Sequence, residues 1–176
     1  MTERDHRKAG SPAGAAQRAD PRSLAGQRLT AGQRVRQFAN LTNGSTLLGL
    51  AVAGIAGTAV SRGPRGLIIA SGYSWRLPFA GAFTLGNVVI CRVRAEQLTA
   101  NPALLGHEEK HCSQYAWCLG LPFLPLYFLA AGWSQVRTGN PASANFFERR
   151  AGLAAGGYLD TRTPRPAPRG AGGIEV

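Results

Sequence analysis

The segment His107-Glu108-Glu109-Lys110-His111 places two imidazoles and a carboxylate at a spacing suited to a metal ion. On an α-helix, residues four apart share a face, so His107 and His111 can address one ion while Glu108 leans toward the same side. This is the H-E-x-x-H pattern, in which the histidines bind zinc and the glutamate serves as general base in hydrolysis. The chain has three histidines, and the third, His6, falls in a polar N-terminal stretch. Two ligands and a base would therefore come from one helical turn.

A catalytic zinc ion takes three protein ligands and keeps a fourth position for water. With His6 set aside, the third ligand must be a carboxylate or a cysteine. Between residues 41 and 160 the acidic residues are Glu96, Glu108, Glu109, Glu148 and Asp160. Glu96 lies just ahead of the metal-bearing segment and Asp160 at the domain edge, whereas Glu148 has Phe146, Phe147 and Leu153 to hold it against a core. Glu148 is the preferred third ligand. A competing reading of the same residues is a capping box, Asn145-Phe-Phe-Glu148, in which the glutamate reaches back to the cap's N–H. Spacing does not choose between the two, and Glu96, Asp160 and Cys91 stand behind Glu148 as alternatives. Glu108 would take a proton from zinc-activated water and return it to the leaving group. Glu109, off the metal-facing side, reads as a solvated helix carboxylate. Gln114, three residues after His111, either orients a ligand or is a surface polar residue. Tyr115 and Tyr158 are candidates to stabilise an oxyanion, with packing as the alternative role for each.

These groups need a scaffold. Asn101-Pro102 reads as a helix start, cap followed by proline at the first helical position. That helix should carry the motif to about Cys118, before Gly120 and Pro122. A strongly apolar helix is expected over Leu121 to Val136, with Pro125 tolerated in its first turn. A third helix is expected over Phe146 to Ala155, capped by Asn145 and closed by Gly156-Gly157. Upstream, Arg36 to Val60 reads as a glycine-rich helix, while Gly66 to Ala70 and Ala82 to Cys91 are β-branched, aromatic and bounded by turn residues, hence β structure. The expected fold is α+β, a small sheet or hairpin followed by a helical core that carries the metal motif. Residues 1–35 and 161–176 hold almost no large apolar residues and are expected to be disordered basic tails around a domain of residues 36–160.

The 176 residues carry a formal charge of +11, but residues 1–40 supply +5 of it and residues 161–176 a further +2. The excess thus sits mainly in the flanks. No zinc finger, RNP-type motif or basic helix interleaved with aromatics accompanies it, so no specific nucleic-acid partner is expected. Three cysteines, Cys91, Cys112 and Cys118, are too few and odd in number for a disulfide framework, and buried thiols in a reducing, cytoplasmic setting fit best. The apolar runs Leu47 to Val60 and Leu119 to Trp133 fall short of the roughly 20 residues of a bilayer span. They motivate the competing reading: a non-enzymatic module that docks a protein or associates peripherally with a membrane.

The stretches Ala82-Phe-Thr-Leu-Gly-Asn-Val-Val-Ile90, Leu105-Gly-His-Glu-Glu-Lys-His-Cys-Ser-Gln114 and Asn145-Phe-Phe-Glu-Arg-Arg-Ala151 together resemble small bacterial zincin-like domains of uncharacterised function with a gluzincin-like order, H-E-x-x-H then a downstream glutamate. The resemblance covers about residues 62–158 and departs from the pattern at Phe146, where such domains often have proline. It implies a minimal gluzincin: zinc on His107, His111 and Glu148, Glu108 catalytic, the strand around Asn87 to Cys91 near the cleft, and a peptide or protein substrate.

Overall fold

The computed structural model describes residues 28–78 and 80–158. Among the described residues the architecture is α+β, as expected: six α-helices and a four-stranded mixed sheet. Helix α1 (Ala31–Thr42) and α2 (Ser45–Ile55) precede strands β1 (Ala59–Arg62), β2 (Ile68–Ser71), β3 (Ala82–Leu85) and β4 (Val88–Cys91), after which come α3 (Ala95–Thr99), α4 (Pro102–Trp117), α5 (Phe123–Thr138) and α6 (Phe146–Ala151).

The sheet order is β1-β2-β4-β3, with β2 and β4 parallel and the outer pairs antiparallel. Val88, Val89, Ile90 and Cys91 of β4 are all fully buried, which explains their unbroken apolar run: an inner strand covered on both faces has no polar side to show. Alternation along the strands divides the core. Ile69, Val89 and Cys91 join Leu98 of α3 with Leu105 and Cys112 of α4, whereas Ala70, Val88 and Ile90 join Ala53 of α2, Tyr115 of α4 and Phe123 of α5. All three cysteines are free.

Several expectations shift. The helix expected over Arg36 to Val60 is two helices, broken at Gly44 with a φ of 81°, and Val60 lies in β1. The folded part also begins ahead of residue 36: Thr30 caps α1, accepting from the Gln33 N–H while the Gln33 side chain accepts from the Thr30 N–H. Helix α6 stops at Ala151, because Gly152 with a φ of 100° turns the chain before Gly156 is reached. The outer residues of the expected tails, together with Asp160, lie outside the described residues.

Two polar networks fix α4 in place. Asn40 of α1 is fully buried and donates to Asn87 Oδ1 (3.0 Å) and to the Cys112 carbonyl (2.8 Å), tying α1 and the β3–β4 turn to the middle of α4. Glu109 accepts from Arg36 (2.8 Å), Arg65 (2.9 Å) and Gln33 (3.1 Å). It is therefore an internal ion-paired anchor and not a solvated carboxylate; it does face away from the histidines, but α1 and the Pro64–Gly66 turn cover that side.

Candidate metal centre

Helix α4 starts as its sequence requires, with the Asn101 side chain accepting from the Leu104 N–H and Pro102 in the first turn. One and a half turns on, His107, Glu108 and His111 are all buried. Helix α6 packs against α4 and brings in Glu148, which is 2 % exposed. His107, His111 and Glu148 form a buried group able to hold a metal ion, their ligand atoms all within 4.8 Å of one another.

The hydrogen bonds on the far side of each ring decide which nitrogen is free. His107 Nδ1 lies 3.1 Å from the Gly152 carbonyl, which can only accept, so Nδ1 carries the proton. His111 Nδ1 lies 2.8 Å from Gln114 Oε1, and the Gln114 amide is oriented by donating to the Phe147 carbonyl at 2.9 Å. Both rings therefore present an Nε2 lone pair inward. Those two nitrogens are 3.0 Å apart, and Glu148 sets Oε2 at 3.3 Å from His107 Nε2 and Oε1 at 3.6 Å from His111 Nε2. Oε2 is buried with no hydrogen-bond partner. With both rings neutral these lone pairs would repel, so the cluster needs either a proton, which the neighbouring carboxylates favour on His111, or a metal cation among them. Two nitrogens bound to one zinc at about 2.0–2.1 Å sit roughly 3.3 Å apart at a tetrahedral angle, near the spacing here.

Electrostatics follow the same geometry. Burial works against an ionised Glu148, but the two imidazoles close to it and a hydrogen bond from the Tyr127 hydroxyl outweigh it, holding the carboxyl well below its usual range. Burial likewise disfavours a charged His111, yet Glu148 and Glu108 reverse the balance and raise its pKa. Glu108 is raised, chiefly by burial, against the opposing pull of His111 and of Thr84, whose hydroxyl donates to Oε2 at 2.6 Å. Its other oxygen accepts no hydrogen bond among the described residues.

The centre lies in the wall of a cavity of about 590 Å³ whose other walls are mainly apolar, among them Phe83, Leu85, Leu104, Leu124 and Phe128. Tyr115 and Tyr158, the two oxyanion candidates, both line it. The Tyr158 ring lies 6.3 Å from that of His107, and burial with the charges of Glu148 and Glu108 pushes its phenol up to about 12. Tyr115 is fully buried and its hydroxyl has no partner among the described residues.

Of the other ligand candidates, Glu96 is exposed on α3 and Cys91 donates to the Val93 carbonyl at 3.3 Å; neither belongs to the converging group. The capping box does not form: Asn145 caps α6 through the Phe147 N–H, while Glu148 turns to Tyr127 and the histidines. The strand beside the cleft is β3 and not the Asn87 to Cys91 segment, because β4 is an inner strand and β3 is the edge that reaches α4. Sequence reasoning missed Tyr127 and Thr84. The available signal for Tyr127 was a phenol inside an otherwise apolar helix, and for Thr84 a hydroxyl in a β segment otherwise built from apolar residues.

Comparison with protein-family models, with curated proteins and with solved structures finds no match to this chain.

Proposed function

We propose that the chain is a zinc-dependent hydrolase of peptide bonds, a minimal gluzincin-like metallopeptidase. The observation that carries this is the convergence of His107 Nε2, His111 Nε2 and a Glu148 carboxylate oxygen, all within 4.8 Å of one another, beside a buried Glu108. Two imidazoles and one carboxylate are a borderline-soft set that suits zinc, and three protein ligands leave a coordination position open. When bound, zinc supplies a Lewis acid that polarises a carbonyl and makes water a stronger acid.

The protein's own groups account for the rest. Thr84 holds one oxygen of Glu108 and leaves the other to accept a proton from water and deliver it to the leaving amine. The raised pKa of Glu108 brings it closer to working pH, which favours transfer in both directions. Tyr158, still protonated at neutral pH, can donate to the oxygen on which negative charge develops. Gln114 and the Gly152 carbonyl hold the imidazoles in one tautomer, and the apolar walls exclude bulk water and accept an apolar side chain.

The test is to purify the wild type and Glu108→Gln, measure zinc, and offer each a mixed peptide library at equal occupancy with a chelator control. Both should hold about one zinc per chain, and only the wild type should cleave. Cleavage that persists in Glu108→Gln removes Glu108 from the mechanism, and stoichiometric zinc retained by both His107→Ala and His111→Ala removes the metal centre itself.

A further inference from the structure

Helix α5 is covered on one side only. Phe123 and Ser134 face the protein, but Leu126, Leu129, Trp133 and Val136, spaced to share a separate face, are 46, 72, 61 and 87 % exposed. An uninterrupted row of four large apolar side chains on a solvent-facing helix is unusual and marks an interaction surface.

We propose that this face of α5 docks on an anionic lipid bilayer. Charge selects the occupant. No Asp, Glu, Lys or Arg occurs between His111 and Val136, and the charge that closes the row is Arg137, whose guanidinium lies 5.8 Å over the Trp133 ring. A tryptophan beside an arginine at the end of an apolar row is chemistry suited to the boundary between acyl chains and phosphates. Of the carboxylates in residues 28–158, Glu108 and Glu148 are buried and Glu109 is ion-paired, so Glu96 alone is exposed, while Arg34, Arg62, Arg149 and Arg150 are exposed. A second copy is a poorer occupant, since two chains that each carry a net +11 repel one another. Residues 1–27 and 159–176 are poorer still, holding almost no large apolar side chains to cover the row. Among the described residues no single helix is long and apolar enough to cross a membrane, so the contact lies along the surface. Phe128, next to Leu129, lines the metal cavity, which places the cavity beside the docked face. None of His107, His111 and Glu148 belongs to this face, so membrane docking is independent of the proposed reaction.

The full chain is tested by flotation with vesicles of phosphatidylcholine alone or with about 30 % phosphatidylserine, at low salt and at about 0.5 M NaCl, where exposed charges are screened. The partner variant is Leu129→Asn with Trp133→Asn, which leaves the charge unchanged; Val136→Asn serves if the pair misfolds, judged by circular dichroism and zinc content. The wild type should float with the anionic vesicles and keep a measurable bound fraction at high salt, and the variant should bind at least tenfold more weakly. Three results overturn the proposal: no flotation of the wild type, flotation equal in wild type and variant, which assigns binding to the basic flanks, or a salt-resistant dimer in ultracentrifugation that the variant abolishes.

Discussion

In the proposed zinc centre, His107 and His111 can serve as ligands only while their Nδ1 protons stay committed to Gly152 and Gln114. Replacing Gln114 with Leu removes the acceptor and frees the His111 ring to turn or change tautomer. Zinc affinity should fall by about 10–100-fold, as read by competition with a chromophoric chelator, while the fold persists because Gln114 belongs to neither core cluster. An unchanged affinity would show that the ring is held by packing alone. At this scale the sequence was informative about identity and less so about partnership. The pair His107 and His111 follows from helical periodicity, and Glu148 from being one of few acidic residues in the domain. Glu109, by contrast, read as solvated because its partners Arg36 and Arg65 lie far away in sequence and become neighbours only through the fold.

Elements carry the site through close approaches that only glycine allows. A Cβ on Gly156 would stand 2.5 Å from His107 Cε1 and 2.8 Å from its Nε2, so the turn after α6 lies directly against this proposed ligand. Gly156→Ala should therefore shift either the imidazole or the turn whose Gly152 carbonyl orients it, and in both cases weaken zinc binding at least about tenfold, with a smaller effect on the stability of the metal-free protein. Gly49 of α2 makes the contrasting case: a Cβ there would meet the Leu85 carbonyl at 2.5 Å and Val88 at 2.9 Å. Gly49→Ala should cost about 1–3 kcal/mol in denaturant unfolding and leave the ligand geometry alone. Reversal of these two outcomes would mean that α6 and its turn do not position His107. Element boundaries were legible where local chemistry marks them, as at Asn101-Pro102, and illegible where it does not. β1 is exposed at all four residues and shows no alternation, so its strand character comes entirely from pairing with β2. The break between α1 and α2 was written in Asn43-Gly44, but Gly49, Gly54 and Gly57 nearby obscured it.

For the whole molecule, the proposed zinc centre predicts that stability depends on pH in opposite senses with and without zinc. In the metal-free protein the pKa of His111 is raised above its ordinary 6.5, so its contribution is fully present below that pH and is lost as pH rises through the folded-state value. Glu108, raised above 4.5 by burial, adds to the same trend, because its buried carboxylate becomes charged as pH rises. Glu148, lowered below 4.5, contributes above that pH and loses its contribution only in stronger acid. The metal-free protein is thus favoured on the mildly acidic side and weakens toward alkaline pH. Zinc needs both imidazoles neutral, so its binding strengthens over the same interval and adds stability in proportion to RT ln(1 + [Zn]/Kd). The difference in melting temperature between zinc-loaded and chelator-treated protein should therefore be small at about pH 5.5 and exceed roughly 5 °C at about pH 8. Scanning calorimetry of both forms across that range checks it. A difference that stays constant with pH would mean that zinc binds through groups that do not titrate there, and would remove His107 and His111 as its ligands.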